Sequence, residues 1–283
     1  MIYIILIFVC LYITFFIINH LLKNNKSKYI KKNVEYFDNE MPNKFNGIDH
    51  ILWINLDRSI HRKDHMNDLL SKIDVPNTRI SAVDGKNIDK YQFQNLKYTH
   101  KLSDSEKACS LSHIKAINYI KNHNINGNYF MICEDDISFD NLQYFKKNLK
   151  TIIEEAPEFD ILLIHKIHDK ELKNNYENWK DSFDESKLKH ISSASSYIIS
   201  RKGIDKLCKI AKNPIDSDEF IFDNNELHVS DIYLYKHLDT YVYKYNYITT
   251  LTDESTIHNN HLKAQKQNND FNLELIKRDL EYL

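Results

Sequence analysis

Three consecutive carboxylates, Glu134, Asp135 and Asp136, form an acidic triplet directly after the apolar segment YFMIC, with no basic residue between them. Side chains alternate in an extended segment, so Glu134 and Asp136 point to one side and Asp135 to the other. Two carboxylates on one side can share a hard cation such as Mn²⁺ or Mg²⁺, which prefers oxygen ligands and keeps positions for substrate phosphates. We therefore predict a metal site at the triplet and a ligand that carries a diphosphate. A solvated turn, or a cap on the next helix, is the alternative.

A second group of polar residues lies in the segment INLDRSIHR, residues 54–62. Asn55 and Asp57 end a predicted strand, and Arg58 and Arg62 lie four positions apart on one helix face. A guanidinium group can donate two parallel hydrogen bonds to phosphate oxygens, so these arginines are predicted to bind the same ligand. The alternative is a solvated basic face that also includes Lys63.

A third group lies in SEKACSLSHIKAI, residues 105–117, where Ser112 and His113 are neighbours. Adjacent side chains on a helix diverge by about 100°, so the two do not form a pair of nucleophile and base. A buried, hydrogen-bonding histidine at the ligand-binding edge is predicted instead. His61 and His65 have the spacing of zinc ligands, but no third ligand accompanies them, and we interpret them as surface residues.

Strands alternate with helices along the chain, and this order determines where the polar groups lie. The predicted strands are residues 50–56, 78–85, 129–133, 159–165 and 195–200. The predicted helices are residues 59–73, residues 103 or 105 to 123, a segment after Asn141, and residues 201–211. This alternation predicts an α/β fold with a mostly parallel sheet and helices on both faces. Ligands of such sheets bind beyond the carboxyl ends of the strands, where the acidic triplet lies.

Composition limits the possible functions. The 283 residues carry a net charge of −2 at pH 7, which argues against a general nucleic-acid-binding protein with a large basic surface. The four glycines are scattered, so the sequence contains neither a Walker-type loop nor a GxGxxG turn. Phosphates, if bound, must be held by metal and by cationic side chains.

The first 22 residues are predicted to form a transmembrane helix. Residues 2–18 are almost entirely apolar, and the run approaches the roughly 20 residues that span a bilayer. A cleaved signal peptide is the alternative, although no basic residue precedes the run. Residues 23–47, rich in lysine and asparagine, are predicted as a linker, and residues 48–283 as one folded domain.

The flanks of the predicted span favour a cytoplasmic domain, because five lysines follow it within ten residues and none precedes it. Outside the span, Cys109, Cys133 and Cys208 are an odd number of cysteines, which agrees with a reducing compartment. A domain in the lumen of the secretory pathway is the alternative, and the sequence Asn25-Lys26-Ser27 is a glycosylation sequon.

Five motifs together resemble glycosyltransferase family 25, the group of lipooligosaccharide and procollagen galactosyltransferases. They are ILWINLDRSIHR, SEKACSLSHIKAI, ICEDDISF, SSASSYIISRKGIDKL and SDIYLY followed by TLTDESTIH, in the family's order between about residues 48 and 260. The resemblance implies a GT-A type nucleotide-sugar-binding fold, an inverting mechanism, UDP-galactose or UDP-glucose as donor, and Mn²⁺ (or Mg²⁺) at the acidic motif. The sequence departs from the family's pattern at two places. Lys107 stands where members often have a small or apolar residue. LIHKIH stands in place of a YLG-like turn, and this second departure affects the expected acceptor pocket.

The resemblance also assigns roles to residues. The predicted ligands of the sugar nucleotide are Asn55, Asp57, Arg58, Arg62, Asp84, Ser112, His113 and Asp135. Asp231 is the predicted catalytic base, by resemblance to an acidic residue that opens a late helix, and STIH near His258 is expected to close over the donor. Asp216, Asp218 and Glu219 are rival bases, and a purely electrostatic role for Asp231 at the positive end of the helix is the alternative.

The function predicted from the sequence is a membrane-anchored, metal-dependent, inverting hexosyltransferase that acts on a hydroxyl of a glycan or protein. One alternative is an inactive relative that binds a glycan or partner through the same fold. Another is a metal-dependent phosphohydrolase or nucleotidyltransferase, which would leave the Asp231 region unexplained.

Overall fold

The structure is a computed structural model that describes residues 41–97, 99, 101–168, 183–184, 191–251 and 261–283. Its strands are β1 (His50–Asn55), β2 (Asn77–Ser81), β3 (Gln92–Gln94), β4 (Tyr129–Glu134), β5 (Ile137–Ser138), β6 (Ile161–Leu163), β7 (Ile167–His168), β8 (Phe183–Asp184), β9 (Ile191–Ser192), β10 (Ser196–Ser200), β11 (Ala211–Lys212), β12 (Glu219–Phe222), β13 (Thr240–Tyr243) and β14 (Thr249–Thr250). Its α-helices are α1 (Met41–Lys44), α2 (Ile60–Leu70), α3 (Asp104–Asn122), α4 (Leu149–Glu155), α5 (Arg201–Ile210), α6 (Ser230–His237) and α7 (His261–Arg278). Short 3₁₀ segments are Gly85–Lys90, Leu142–Tyr144 and Leu280–Tyr282.

A seven-stranded mixed sheet lies at the centre of the described residues, in the order β2-β1-β4-β10-β6-β13-β8. Pairing is parallel between β1 and β2, between β1 and β4, and between β6 and β13. Five of the seven strands therefore run in one direction, because β10 and β8 are the strands that pair antiparallel with their neighbours. This sheet confirms the prediction of an α/β fold with a mostly parallel sheet.

Strand β10 departs from the predicted alternation, because it runs antiparallel to both β4 and β6. An apolar run identifies a strand but carries no information on its direction, which the connections to neighbouring strands decide. The antiparallel pairing brings the residues before β10 to the carboxyl end of β4. There the backbone amide of Glu134 donates a hydrogen bond to the carbonyl of Ser195 at 2.9 Å.

Helices cover both faces of the sheet, as predicted. In β4, Phe130 and Ile132 belong to the buried cluster that includes apolar residues of α3, α5 and α6. Met131 and Cys133 alternate with these two residues along the strand. They belong to the cluster on the other face of the sheet, with residues of α1, α2 and α4. Both faces of β4 are buried, so its sequence is a continuous apolar run and the first carboxylate appears only at its end.

The N-terminal part of the described chain packs into this core. Met41 and Phe45 are fully buried, and the Phe45 ring centroid lies 4.8 Å from that of Phe139. Both residues fall in the range predicted as a linker. The predicted transmembrane helix, residues 1–22, lies outside the described residues, and none of the described helices is long and apolar enough to cross a membrane.

Helix α3 packs on one face of the sheet and begins with a capping box. Oγ of Ser103 accepts a hydrogen bond from the amide of Glu106 at 3.3 Å, and the amide of Ser103 donates one to Oε2 of Glu106 at 2.8 Å. Of the two serines that the sequence offers as caps, Ser103 is therefore the cap, and Ser105 lies inside the helix.

Replacing Ser103 with alanine is expected to lower the free energy of unfolding by about 1 kcal/mol, because an amide at the start of α3 loses its acceptor. Urea unfolding of the purified protein measures the change. Ser105→Ala is the matched control and should change the stability by less than about 0.5 kcal/mol, since Ser105 is exposed and caps nothing. Equal losses for both variants would contradict the assignment.

Candidate active site

The acidic triplet lies at the carboxyl edge of the central sheet. Glu134 is the last residue of β4, and Asp135 and Asp136 form the turn that leads to β5. All three line a cleft, called here the first cleft, between α3, the start of α2 and the segment 82–86. Other predicted site residues that line it are Arg58, Arg62, Asp84, Ser112 and His113.

Asp135 is neutralised within the protein. Its Oδ2 accepts a hydrogen bond from Nδ2 of Asn55 at 2.6 Å, and its Oδ1 accepts one from Nη1 of Arg62 at 2.9 Å. The Arg62 side chain is only 7% exposed, and its Nη1 lies 3.7 Å from Oδ2 of Asp136. Arg62 is thus the buried positive partner of the triplet rather than part of a solvated basic face. Both Asp135 oxygens therefore have donors that fix the orientation of this carboxylate.

The other two carboxylates have pKa values shifted in opposite directions. Burial raises the pKa of Asp136 to about 7, and the charge of Glu134 adds to this effect. Burial also acts to raise the pKa of Glu134, but the hydrogen bond from His113 and the charges of His113 and Arg62 outweigh it and lower that pKa. Oδ1 of Asp136 is buried and has no hydrogen-bond partner among the described residues. This oxygen can accept a bond from a ligand or coordinate an ion.

The donor atoms fit a hard divalent cation. Glu134 and Asp136 offer carboxylate oxygens to the first cleft, and one buried guanidinium, that of Arg62, does not neutralise three acids. In another arrangement, Cys109, His113 and Glu134 offer ligand atoms within 4.8 Å of one another. A thiol and an imidazole suit a softer ion such as Zn²⁺, but burial strongly raises the pKa of the Cys109 thiol, which opposes the thiolate that a metal needs. The oxygen atoms of Glu134 and Asp136 are therefore better suited to hold a metal ion than the set with Cys109.

His113 and Ser112 are buried on α3 and already have partners. Nδ1 of His113 lies 3.1 Å from the Tyr197 hydroxyl, and its Nε2 lies 3.4 Å from Oε1 of Glu134. The Ser112 hydroxyl accepts a hydrogen bond from the amide of Val83 at 2.9 Å and donates one to the carbonyl of Ala108 at 2.7 Å. His113 thus orients a carboxylate of the triplet, whereas Ser112 fixes the wall of the cleft.

The remaining predicted ligands of the sugar nucleotide differ in position. Arg58 forms an ion pair with Asp84 at the mouth of the first cleft, where both side chains are partly exposed. Asn55 does not line the cleft and contacts it through Asp135. Asp57 is 72% exposed, pairs with Arg79 at 2.6 Å and does not line the cleft. The structure therefore does not bring Asp57 to the other predicted ligands, because its side chain points toward β2.

A second cleft adjoins the first and shares Cys109, Glu134 and Asp136 with it. Asp231, the predicted base, lines this second cleft in the first turn of α6, and its Oδ2 accepts a hydrogen bond from the amide of Ser193 at 3.1 Å. Ser230 is the first helical residue rather than a cap, and no side chain caps α6. The predicted base and the acidic triplet thus lie on one continuous surface.

The rival bases lie elsewhere. Asp216 and Asp218 line a third cleft that shares none of its lining residues with the first two among the described residues. Glu219 lies in β12 and accepts a hydrogen bond from Gln94. The STIH segment with His258 lies outside the described residues.

Sequence reasoning missed two residues of the second cleft, His165 and Gln265. Nδ1 of His165 lies 2.7 Å from Oγ of Ser195 and 3.1 Å from Oγ of Ser193. His165 follows β6 at the carboxyl edge of the sheet. The rule that ligands bind beyond the carboxyl ends of the strands pointed to the acidic triplet and could also have pointed to His165. Gln265 lies on α7, about a hundred residues later, and no sequence signal indicates its position.

The burial of His165 predicts a pH dependence of stability. Burial, together with the neighbouring Lys166, lowers its pKa from 6.5 to about 3, against the opposing charge of Glu134. As the pH falls below 6.5 the unfolded chain takes up a proton that the folded chain does not, so this residue lowers the free energy of unfolding progressively down to pH 3. Between pH 7.5 and pH 5 the loss is about 2 kcal/mol.

Urea unfolding of His165→Asn at the two pH values tests this expectation. Asparagine does not titrate, so the variant should lose about 2 kcal/mol less than the wild type on acidification. His61→Asn replaces an exposed histidine and should alter the difference between the two pH values far less. Identical acid sensitivity of the wild type and His165→Asn would contradict the prediction.

Two comparisons place the chain among known proteins. Residues 48–221 match the family model described as glycosyltransferase family 25 (LPS biosynthesis protein). A glycosyltransferase 25 family member of Drosophila pseudoobscura pseudoobscura is 29% identical over 195 residues, which cover 62% of this chain and 29% of the relative. The chain thus matches less than a third of the length of that relative. The range of the family match includes the whole first cleft, whereas Asp231 and Gln265 lie beyond it.

Proposed function

The chain belongs to glycosyltransferase family 25, whose model matches more than half of its residues, and from this membership we propose an inverting transfer of a hexose from a UDP-sugar to a hydroxyl acceptor. Galactose and glucose are the proposed sugars, and Mn²⁺ or Mg²⁺ is the proposed metal. The mixed sheet, with its ligand-binding edge formed by β1 and β4, is compatible with a GT-A type fold.

The observation that carries the proposal is the position of Glu134 and Asp136 on the wall shared by two clefts. Inversion requires that the acceptor hydroxyl attacks the sugar from the side opposite the departing diphosphate. Two adjoining clefts that meet at carboxylates provide separate positions for the donor and the acceptor. The unpartnered Oδ1 of Asp136 lies where the two would meet.

The first cleft suits the donor because its basic side chains can bind a diphosphate. The exposed Lys86 and the Arg58 side chain, which is 42% exposed at the mouth, both line it. Glu134 and Asp136 would hold a divalent cation, which would neutralise as a Lewis acid the negative charge that develops on the leaving UDP. Arg62 holds Asp135 in place, and His113 holds Glu134, so that these carboxylates are oriented before the donor binds.

The second cleft suits the acceptor because it contains the proposed base. Asp231 would remove the proton from the attacking hydroxyl as the new bond forms. The amides of Ser193 and Ile232 each donate to one Asp231 oxygen, and the remaining lone pairs of the carboxylate can accept a proton from a hydroxyl. Asp231 is partly exposed at this cleft, as a base that must release its proton requires.

We also propose that the domain is anchored to a membrane and faces the cytoplasm. The apolar run of residues 2–18 and the lysines that follow it support this proposal. Fractionation of cells that express the full chain, followed by protease protection of the domain, tests the anchor and its orientation.

A panel of UDP-sugars tests the proposed reaction. UDP release and the mass of the product are measured for each donor, with Mn²⁺, with Mg²⁺ and with a chelator, in the presence of simple hydroxyl acceptors. We expect metal-dependent UDP release with UDP-galactose or UDP-glucose and a product heavier than the acceptor by one hexose. Binding of UDP without turnover of any donor would favour the inactive binding relative. Metal-dependent hydrolysis of other phosphate esters, without sugar transfer, would favour a phosphohydrolase.

A further inference from the structure

The backbone of Ser193, which lines the second cleft, has an unusual conformation. Its φ is +108°, in a region that residues with a Cβ rarely adopt. Five other described residues that are not glycine have a positive φ, but their values lie between 50° and 62°, in the left-handed helical region. Four of these five are asparagine or aspartate, which tolerate that region. Ser193 has neither property, so its surroundings must hold it in place, as is common for residues at functional sites.

Contacts to all three polar groups of Ser193 hold it in this conformation. Its amide donates a hydrogen bond to Oδ2 of Asp231 at 3.1 Å, and its carbonyl accepts one from the hydroxyl of Tyr235. Its own hydroxyl lies 3.1 Å from Nδ1 of His165 and 2.5 Å from Oγ of Ser195. The backbone of this one residue is thus held at both its amide and its carbonyl.

Both backbone contacts come from the same face of α6. Asp231 and Tyr235 lie four positions apart in this helix, so their side chains are neighbours. Asp231 lines the second cleft, whereas Tyr235 lines neither of the two clefts. Tyr235 therefore contributes to the cleft through Ser193 rather than by contact with a ligand.

Ser193 also connects Asp231 with the acidic triplet. Two residues after it, the carbonyl of Ser195 accepts a hydrogen bond from the amide of Glu134 at 2.9 Å. The amide of Ile232 donates to Oδ1 of Asp231 at 2.8 Å, but Ile232 belongs to α6 and moves with it. Among the described residues, the hydrogen bond from Ser193 is therefore the one that ties the Asp231 carboxylate to the sheet edge that carries Glu134.

From these contacts, and on the basis of the proposed function, we infer that Ser193 and Tyr235 are positioning residues for the proposed base, Asp231. The Tyr235 hydroxyl holds the Ser193 carbonyl and so keeps the backbone at positive φ, and this conformation directs the Ser193 amide at Asp231. The carboxylate is then fixed relative to the acidic triplet, as an in-line transfer between the two clefts requires. Without the Tyr235 hydroxyl, Ser193 relaxes to the negative φ that residues with a Cβ prefer, and its amide leaves Asp231.

Tyr235→Phe tests this inference. For the donor and acceptor that the panel of UDP-sugars identifies, kcat and KM are measured, and the Kd of UDP with Mn²⁺ is measured by isothermal titration calorimetry. We expect kcat to fall at least about tenfold, because a misplaced base affects the transition state. The KM of the donor and the Kd of UDP should change less than about twofold, since Tyr235 does not line the donor cleft.

Tyr233→Phe is the matched control, because it also removes a tyrosine hydroxyl from α6. The Tyr233 hydroxyl accepts a hydrogen bond from Nδ2 of Asn224 at 3.0 Å, and neither residue lines the two clefts. Each variant loses one hydrogen bond, so both should lower the melting temperature slightly. Tyr233→Phe should nevertheless keep at least about half of the wild-type kcat, because Asp231 keeps its contact with Ser193.

Two sets of double variants test the route from Tyr235 to the base. Glycine and alanine at position 193 both lack the hydroxyl, but glycine adopts positive φ without a steric cost. In the Tyr235→Phe background, Ser193→Gly should therefore have a kcat at least about threefold higher than Ser193→Ala. In an Asp231→Asn background, Tyr235→Phe should lower kcat less than about twofold, because the base that it positions is already absent.

Equal kcat values for Tyr235→Phe and Tyr233→Phe, in an enzyme whose wild type transfers sugar, would overturn the inference and leave the proposed function intact. Ser193→Gly no more active than Ser193→Ala in the Tyr235→Phe background would also overturn it. The same holds for a Tyr235→Phe variant whose UDP affinity falls as much as its kcat, since that result indicates a general structural role. No metal-dependent sugar transfer by the wild type would instead contradict the proposed function, and the inference with it.

Discussion

Asp136→Asn is expected to lower the rate of sugar transfer at least about a thousandfold without lowering the free energy of unfolding. The loss of activity follows from the proposed metal site, because an amide coordinates a divalent cation more weakly than a carboxylate, and a cation there would supply several kcal/mol of charge stabilisation at the leaving diphosphate. Stability should be unchanged or higher, because the substitution removes one of three neighbouring buried acids. Burial and Glu134 already raise the pKa of Asp136 to about 7, which shows that its negative charge is unfavourable in the folded protein.

Asp57→Asn is the matched control for this prediction. Asp57 undergoes the same chemical change, but it is 72% exposed and lies outside both clefts. UDP release with Mn²⁺ and urea unfolding are measured for both variants, and Mn²⁺ binding is measured by electron paramagnetic resonance. We expect Asp57→Asn to keep at least half of the activity. Asp136→Asn with activity and Mn²⁺ affinity within tenfold of the wild type would contradict the assignment of the metal site.

Local patterns in the sequence were sufficient to predict the α/β alternation and five of the seven strands of the central sheet, β13 and β8 being missed. Apolar runs and helical periodicity identified β1, β4, α3 and α5 within a few residues of their observed ends. The position of the acidic triplet at the carboxyl edge also followed, because charged residues cannot continue a strand whose two faces are buried. Each of these features depends on residues that are close together in the chain.

Features that depend on distant segments could not be predicted in the same way. The sequence indicates that three adjacent acids need a positive partner, but only the structure shows that Arg62 is buried against Asp135 while Arg58 pairs with Asp84 at the surface. In the sequence both residues are arginines of the same short segment, and nothing local distinguishes them. Their difference arises because α2 begins at Ile60, so Arg62 faces the sheet from the first turn whereas Arg58 precedes the helix.

The second cleft is the other feature that local patterns could not predict. It combines His165 after β6, the serines before β10, Asp231 of α6 and Gln265 of α7. The reversed direction of β10 brings Ser195 beside Glu134, and a parallel β10 would place the opposite end of that strand there. The second cleft therefore depends on a strand whose direction the sequence left undetermined.

Arg62→Met is expected to lower the free energy of unfolding by about 3–5 kcal/mol, because it leaves Asp135 buried without its positive partner. Methionine fills a similar volume and adds no clash, so the loss reports the missing charge and hydrogen bond. Arg58→Met is the matched control and should cost no more than about 1 kcal/mol, since the pair of Arg58 with Asp84 is partly exposed and screened by solvent.

A double-mutant cycle shows whether the loss comes from the pair of Arg62 and Asp135. Asp135→Asn removes the negative charge but can still accept a hydrogen bond from Asn55, so it should be less harmful than Arg62→Met. In the double variant no charge of this pair remains buried, and its destabilisation should be smaller than the sum of the two single effects by at least about 1 kcal/mol. Urea unfolding at pH 7.5 measures all four proteins. Additive effects, or an Arg62→Met loss no larger than that of Arg58→Met, would show that Arg62 does not neutralise the triplet, and the site would then need another source of positive charge.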